Sequence, residues 1–396
     1  MSHISPIFGS RTVRISVNRS PEWIWQHARW PNFNWDDGLL APLLRACNQA
    51  QGRLLGMLCV SDISANAQTE LDAMLQNILT SSAIEGEQLN VGSVRSSLAK
   101  RLGLASDERV TPRSEGLAEL MLDATQHHDA PLTFPRLMHW HRLLFPEVDS
   151  LLAKGVSVGT LRGSEPMQVV SGRIDRPIVH FEAPGREGLE GQLNDFFDWF
   201  NASRTNDALD PMLRAGVAHF WFVTLHPFDD GNGRLTRAIT DLALAQADHQ
   251  AIRFYAMSAS ILSTRQSYYH VLESSQRSGL NITHWLTWFL ETLLSALEQA
   301  MQRIDRVLAK ARFWQKHRDA GLSPEQTKVL NRLLNGDVLS EKAGGGFVEG
   351  ISAAQYQAVA KVSKATATRH LSDLLEKGCL MKLPGGGRNT RYQING

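Results

Sequence analysis

The chain has 396 residues, 43% of them hydrophobic and 20% charged, with a formal net charge of +1. Such a chain has the composition of a soluble globular protein of two or three domains, and its near-zero charge leaves contact with nucleic acid or anionic membrane to local patches. No run of 18 or more apolar residues occurs, which excludes a bilayer-spanning helix, and Cys47, Cys59 and Cys379 form neither a CxxC pair nor a disulfide framework.

Met1–Ser20 is polar and has neither a helical period nor a basic-then-apolar signal pattern. The expectation is a flexible start and, with such cysteine usage, a cytoplasmic protein. Trp23, Trp25, Trp30, Phe33 and Trp35 follow, read as a small aromatic corner packed under a loop rather than a peptide groove. Leu39 to Leu104 looks helical. Leu71, Met74, Leu75, Ile78 and Leu79 form one apolar stripe, which leads into Ser81-Ser82-Ala83-Ile84-Glu85-Gly86, with Gly86 as a stop signal.

A second helical block is expected from Arg113 to Leu144. Gly155, Gly159, Gly163 and Gly172 then predict loop and hairpin over Lys154–Pro184, with Ile178–Phe181 as a short strand. Helix resumes at Leu189. Asp210-Pro211 is a capped start, and the apolar run Val217–Leu225 stops at His226-Pro227 because proline cannot continue it. Long helices are expected at Ser260–Ser275 and Ile282–Lys316. The second carries Trp285, Trp288, Phe289, Leu293, Leu297 and Ile304 on one side, and as a long helix it suits support of a homodimer.

Gly321–Gly396 reads as a separate small domain. It has helices at Pro324–Leu334, Ala353–Ala360 and Ala365–Lys377, a loop over Asn335–Gly350, and β-like runs at Cys379–Leu383 and Arg391–Ile394. That order resembles a winged helix-turn-helix. Lys361 to Gly396 holds seven Lys/Arg against two Asp/Glu. Thr366, Thr368 and Arg369 suit a major groove, and Lys382, Arg388 and Arg391 suit phosphates. DNA contact through residues 353–391 therefore stands beside protein contact as the role of this unit.

The strongest chemical signal is His226-Pro227-Phe228-Asp229-Asp230-Gly231-Asn232-Gly233-Arg234-Leu235-Thr236-Arg237. Backbone N–H groups of Gly231 to Arg234, at a helix start preceded by glycine, can form an anion nest. Arg234 and Arg237, three apart, add charge-assisted contacts to phosphate. Asp230 offers Mg²⁺ a hard oxygen, and His226, with an ordinary pKa of roughly 6.5, can accept a proton from a hydroxyl. Each element alone is bland: Asp-Gly and Asn-Gly are usually turns, and paired arginines usually a solvated face. Together they describe nucleotidyl or phosphoryl transfer. His219, on an apolar face, reads as a satisfied core histidine.

The string fits the Fic signature HxFx(D/E)GNGRxxR at every specified position, and the chain from about Pro21 to Leu297 resembles the Fic protein adenylyltransferases. Ser81 to Gly86 fits that family's inhibitory pattern (S/T)xxxE(G/N). The resemblance implies a mainly α fold: an N-terminal helical region (21–108) with an inhibitory helix, a helical core (109–316) with a β-hairpin flap, and the winged-helix-like domain (321–396). It makes His226 the base, Phe228 the loop anchor and Asp230 the Mg²⁺ ligand. Gly231, Asn232 and Gly233 cradle the ATP phosphates, and Arg234 and Arg237 sit on the outer ones. Ile178, Val179, His180 and Phe181 form the flap on which a target protein docks as an added strand. Tyr268 and Tyr269 lie near adenine, and Gln276 supplies a polar base contact. Ser81, Glu85 and Gly86 form the switch, with Glu85 paired to Arg237.

The implied activity is transfer of AMP from ATP to a Tyr, Thr or Ser hydroxyl, on a target or on the protein itself, with release of pyrophosphate. Glu85 also becomes a candidate for the reverse step, removal of AMP. Gly233 stands where phosphotransferring relatives carry lysine, which favours AMP over phosphate. The alternatives are transfer of UMP or intact phosphate, and a DNA-binding transcriptional regulator whose core senses nucleotide.

Overall fold

The computed structural model describes residues 22–60, 67–104, 109–146, 156–173, 176–248, 255–334, 350–384 and 390–395. The expectations for Met1–Ser20, for residues 335–349 and for Arg388 lie outside them. The chain is mainly helical and divides into two compact units, the first ending at Ala300 and the second beginning at Met301.

The first unit opens with α1 (Asp37–Val60), α2 (Ala67–Ile84) and α3 (Val91–Arg101). Leu71, Met74, Leu75 and Ile78 of the α2 stripe are buried. Gly86, at φ +81°, ends α2: its N–H donates to Ala83 O (3.0 Å) and that of Glu87 to Ser82 O (3.0 Å). This paired closure requires a left-handed residue and suits glycine.

The block expected from Arg113 to Leu144 is two helices, α4 (Pro112–Gln126) and α5 (Phe134–Leu144). Each is started by a threonine cap with proline in the first turn, Thr111 for α4 and Thr133 for α5. The hairpin follows as β1 (Gln168–Arg173) and β2 (Arg176–Glu182), antiparallel, with a register shift between Val169 and Val170. Then come α6 (Leu189–Ala202), α7 (Pro211–Leu225) and α8 (Asn232–Asp248). Asp210 caps α7, accepting from the N–H groups of Met212 (2.8 Å) and Leu213 (3.4 Å).

α7 is buried from Met212 to Leu225, and α8 is buried almost as fully, so this helix pair is the centre of the unit. The helix expected over Ser260–Ser275 is instead α9 (Met257–Ser263) and α10 (Arg265–Gln276). Thr264 leaves helical angles (φ −118°, ψ 30°), where the Ser263 and Thr264 hydroxyls donate to Ser260 O (2.8 and 3.1 Å) and compete with the ladder. α11 (Thr283–Lys316) runs against α7 at Gly216, where an added Cβ would lie 2.8 Å from Leu286 Cδ2.

The aromatic corner packs partly under the hairpin. Trp23 meets Phe181 edge-on at 5.4 Å, and Trp25 Nε1 donates to Glu182 O (2.7 Å). Trp30 and Phe33 instead meet Trp221 of α7 edge-on.

The second unit takes the end of α11, since Phe313 belongs to its core with Val329, Leu330, Tyr356, Ala367, Leu371 and Leu374. Its helices are α12 (Pro324–Leu334), α13 (Ala353–Ala360) and α14 (Lys364–Glu376). β3 (Ile351–Ser352), β4 (Leu380–Lys382) and β5 (Arg391–Ile394) form an antiparallel sheet in the order β3-β5-β4. β3, only two residues long, has no periodicity by which to be read.

Candidate active site

The site is built on the turn between α7 and α8. His226 closes α7 in the left-handed region (φ 47°, ψ 56°), a conformation that costs a non-glycine residue energy and persists only where the surroundings enforce it. Arg162 enforces it. Its Nε donates to His226 O (2.9 Å), its backbone N–H to Pro227 O (3.0 Å), and its Nη2 to Pro184 O, just past β2. Phe228 is fully buried and stacks on His141 at 4.1 Å. Asn232 clamps the loop with both side-chain atoms, accepting from Phe228 N (3.0 Å) and donating to Phe228 O (2.7 Å).

His226 lines a cavity of about 600 Å³. Its Nδ1 is 3.3 Å from Val223 O, so a proton held there leaves Nε2 as the basic nitrogen. Burial, reinforced by Arg162, lowers its pKa to about 4, and the imidazole is neutral at neutral pH. Gly231 adopts φ +87°. Its N–H is already taken by Asp230 Oδ1 (2.6 Å), contrary to the expectation that the nest begins at Gly231. The N–H groups that open α8 after it have no intrahelical acceptor.

Asp230, Gly231, Asn232, Gly233, His180, Phe181, Tyr268, Tyr269, Gln276 and Glu85 join His226 in the cavity wall. Ile178 does not: it is 59% exposed. Val179 is also absent from the wall, and its carbonyl accepts from Arg277 Nη2 (2.8 Å). Tyr268 is a core residue with its hydroxyl 3.0 Å from His219 Nε2, while His219 Nδ1 meets Thr240 Oγ1 at 2.9 Å. Tyr269 is partly exposed, with the Arg265 guanidinium 5.5 Å from its ring. Gln276 Nε2 donates to Thr224 Oγ1 (3.1 Å).

Arg234 and Arg237, expected on the outer phosphates, are absent from the cavity wall and held by carboxylates instead. Arg237 donates to Ser81 Oγ, Ser81 O and Glu85 Oε1, each at 2.9 Å. Burial alone would raise the Glu85 carboxyl, but Arg237, with Arg234 and Arg265 beyond it, holds it below the ordinary range. Gly86 contributes its backbone turn rather than a wall. Arg162, Arg265 and Glu87 were not legible in the sequence as site residues. Glu87 had a visible signal, an acid just past the helix-ending glycine.

The donor set suits a polyphosphate. Arg237 Nη1 is buried without a partner, and it would lie 3.2 Å from a Cβ on Gly233. Among the described residues no cluster of three or more His, Cys, Asp or Glu is found. A metal at Asp230 would therefore share its shell with phosphate oxygens and water, as Mg²⁺ commonly does.

Two buried histidines, His141 and His219, and the part-buried His226 make a pH prediction. Burial lowers His141 to about 4, His219 to about 3 and His226 to about 4, whereas in the unfolded chain each titrates near roughly 6.5. Between those values the unfolded state binds more protons, so stability rises with pH there and is lost as pH falls from about 6.5 toward 4. Urea unfolding is expected to show a clearly lower midpoint at about pH 5.5 than at pH 7.5; equal midpoints would mean that these imidazoles are not buried neutral.

The Fic/DOC family pattern matches residues 131–244, and a domain of unknown function (DUF4172) matches residues 23–104. "Protein adenylyltransferase Fic" of Drosophila willistoni is 27% identical over 220 residues, 55% of this chain and 40% of its own length. "Protein adenylyltransferase fic-1" of Caenorhabditis elegans is 24% identical over 257 residues, 63% of this chain and 45% of its own length. The chain thus spans less than half the length of these curated relatives. A solved Fic family protein from Desulfovibrio desulfuricans G20 aligns with TM-score 0.49 at 18% identity, covering 90% of this chain and 96% of that one. Residues 131–244 thus form a Fic/DOC domain.

Proposed function

We propose that this protein is a nucleotidyltransferase that moves AMP from ATP to a Tyr, Thr or Ser hydroxyl of a protein, restrained by its own Glu85. One observation carries the reading: a single cavity joins a neutral imidazole, His226, to Asp230 and the open start of α8, with Glu85 seated among them. In this reading the hydroxyl gives its proton to His226 Nε2 while its oxygen bonds to the α-phosphorus. The bond from that phosphorus to the bridging oxygen breaks, and pyrophosphate leaves. Asp230 would hold Mg²⁺, which supplies charge neutralisation along the phosphates. The N–H groups that open α8 after Gly231, beginning at Asn232 and Gly233, hold the ATP phosphates, with Gly231 supplying the turn, and Tyr268, Tyr269 and Gln276 surround the base.

The acceptor segment docks on the hairpin, where among the described residues β1 has no strand on its far side. Automodification and a cytoplasmic setting go with this reading, as does a homodimer through α11. The test is incubation of Glu85→Gly protein with ATP labelled at the α- or the γ-phosphate. Label from the α position alone is expected on protein; label from γ would mean phosphate transfer, and label from neither would end the proposal. Incubating AMP-modified protein with wild type and with Glu85→Gly tests removal of AMP, which is expected only with wild type.

The second unit supports a further role, DNA binding by a winged helix-turn-helix. Lys361, left-handed at φ 55°, ends α13, and Ser363 caps α14 three residues after α13. Lys364, Thr368 and Arg369 are exposed on α14, as is Lys382 on β4. Duplex DNA is expected to bind more weakly as salt rises, with a log–log slope reduced by about 2 in Lys364→Ala/Arg369→Ala. His226→Ala should leave that binding unchanged. Retention that ignores salt and both substitutions would remove this role.

A further inference from the structure

Both arginines in the opening turns of α8 are held by acids from one short stretch, and the two contacts are built differently. Glu85 takes Arg237 through one hydrogen bond (2.9 Å) and forms part of the cavity wall, where an entering ligand can displace it. Glu87 stands at the centre of a three-residue cluster outside that wall. Its Oε1 accepts from Arg113 Nε (2.9 Å), and its Oε2 accepts from Arg113 Nη2 (2.7 Å) and Arg234 Nη1 (2.9 Å).

Arg234 Nη2 lies 3.5 Å from Asp230 Oδ2. The two guanidiniums flank one ring, Arg234 at 5.2 Å and Arg113 at 5.7 Å from the centroid of Phe145. Their side chains are 8% and 12% exposed. A buried and a part-buried cation on one ring repel each other, and Glu87 is the carboxylate bonded to both. The arginines in turn hold the Glu87 carboxyl below its ordinary range against the burial that would raise it. The backbone here is pinned as well, by the Gly86 closure on one side and by Asn90, which caps α3, on the other.

We infer that Glu87 is a positioning residue, the fixed anchor beside which Glu85 is the movable latch. Through Arg234 it holds the first turn of α8 and the Asp230 carboxylate whether or not Glu85 is engaged. Inhibition is then lifted by movement of the Glu85 side chain, with the segment from Ser82 to residue 92 staying docked. This deepens the AMP-transfer reading and rests on it for the rate measurement alone.

The experiment compares wild type, Glu85→Gly, Glu87→Gln and the double variant, all full length. Amide hydrogen exchange is followed over residues 82–92 and 229–236, together with kcat and KM for ATP in automodification. Taken relative to the change at the α7 core, which reports the lowered global stability, Glu85→Gly is expected to leave exchange in both segments within about twofold of wild type, and Glu87→Gln to speed both at least about tenfold while sparing the hairpin and the second unit. The double variant is expected to show kcat at least about tenfold below Glu85→Gly with KM changed less than about threefold, the sign of a displaced catalytic turn rather than lost nucleotide contact.

Should Glu87→Gln fail to fold, Arg234→Met keeps the Glu87–Arg113 pair and is expected to loosen 229–236 while sparing 82–92. The inference is overturned by unchanged exchange at 229–236 in either variant, by Glu85→Gly loosening both segments, or by Glu87→Gln activating transfer as Glu85→Gly does. If no variant transfers AMP, the functional reading falls, and the exchange data still decide the role of Glu87.

Discussion

Glu85→Gly is expected to raise AMP incorporation on the order of 100-fold over wild type, and adding His226→Ala to remove it by a factor of about 10² to 10⁴. The first effect follows from where the carboxylate sits. Glu85 Oε1 accepts from Arg237, whose side chain is only 3% exposed, and the same oxygen lies over Gly233 at the start of α8. A polyphosphate entering there meets a negative charge and finds its arginine already taken. It can bind only displaced along the cavity, and a misplacement of about 1 Å from the in-line geometry is enough for a loss of that size.

The second effect follows from His226 being the imidazole beside Asp230 and the start of α8, the other histidines of the wall, His180 and His270, lying on β2 and α10. The measurement is label on protein from α-labelled ATP, with nucleotide affinity measured in parallel. His226→Ala should bind Mg-ATP about as well as its parent, so its loss is one of kcat. Glu85→Gly also strands the Arg237 guanidinium, and removing one member of a buried pair costs about 3–5 kcal/mol. The free variant should therefore melt below wild type, and Mg-ATP should raise its melting point more than that of wild type. Equal labelling by wild type and Glu85→Gly would remove Glu85 as the restraint.

Much of the fold was legible because its boundaries carry local chemistry. α6, α7, α12, α13 and β5 begin or end where caps, prolines or glycines say they should: Asp210-Pro211 is enough to start α7, and Gly86 to stop α2. The break at Thr264 was not legible, because the apolar pattern continues across it and the hydroxyl bonds to Ser260 O are a choice among conformers. Within the site, the motif states which side chains are near the α7–α8 turn but not which way they face. Asn232 spends its amide on Phe228. Arg234 turns away from the cavity because an acid 147 positions earlier, Glu87, meets it there. Arg162 bonds to His226 O across 64 positions. Such long-range pairs are set by how α2 and α4 pack on α8 and by how the segment around Arg162 folds onto the α7–α8 turn, and no local pattern encodes that.

Gly233→Ala is expected to destabilise the wild-type protein by about 2–4 kcal/mol and to be neutral within about 1 kcal/mol when Glu85 is glycine. The backbone at Gly233 is ordinary helix, where alanine should gain roughly 1 kcal/mol over glycine. What opposes it is space: a Cβ there would stand 2.1 Å from Glu85 Oε1 and 3.0 Å from Glu85 Cδ. Neither atom can stay, so the carboxylate must swing off Arg237 and leave a guanidinium buried without its partner. With Glu85 removed, the next obstacle is Arg237 Nη1 at 3.2 Å, which a small shift of a long side chain relieves. Urea unfolding of the four proteins in this cycle measures the coupling, and it does so without any assumption about catalysis. A cost equal in both backgrounds would mean that Gly233 answers only to the phosphate backbone, and that Glu85 does not occupy this seat in solution.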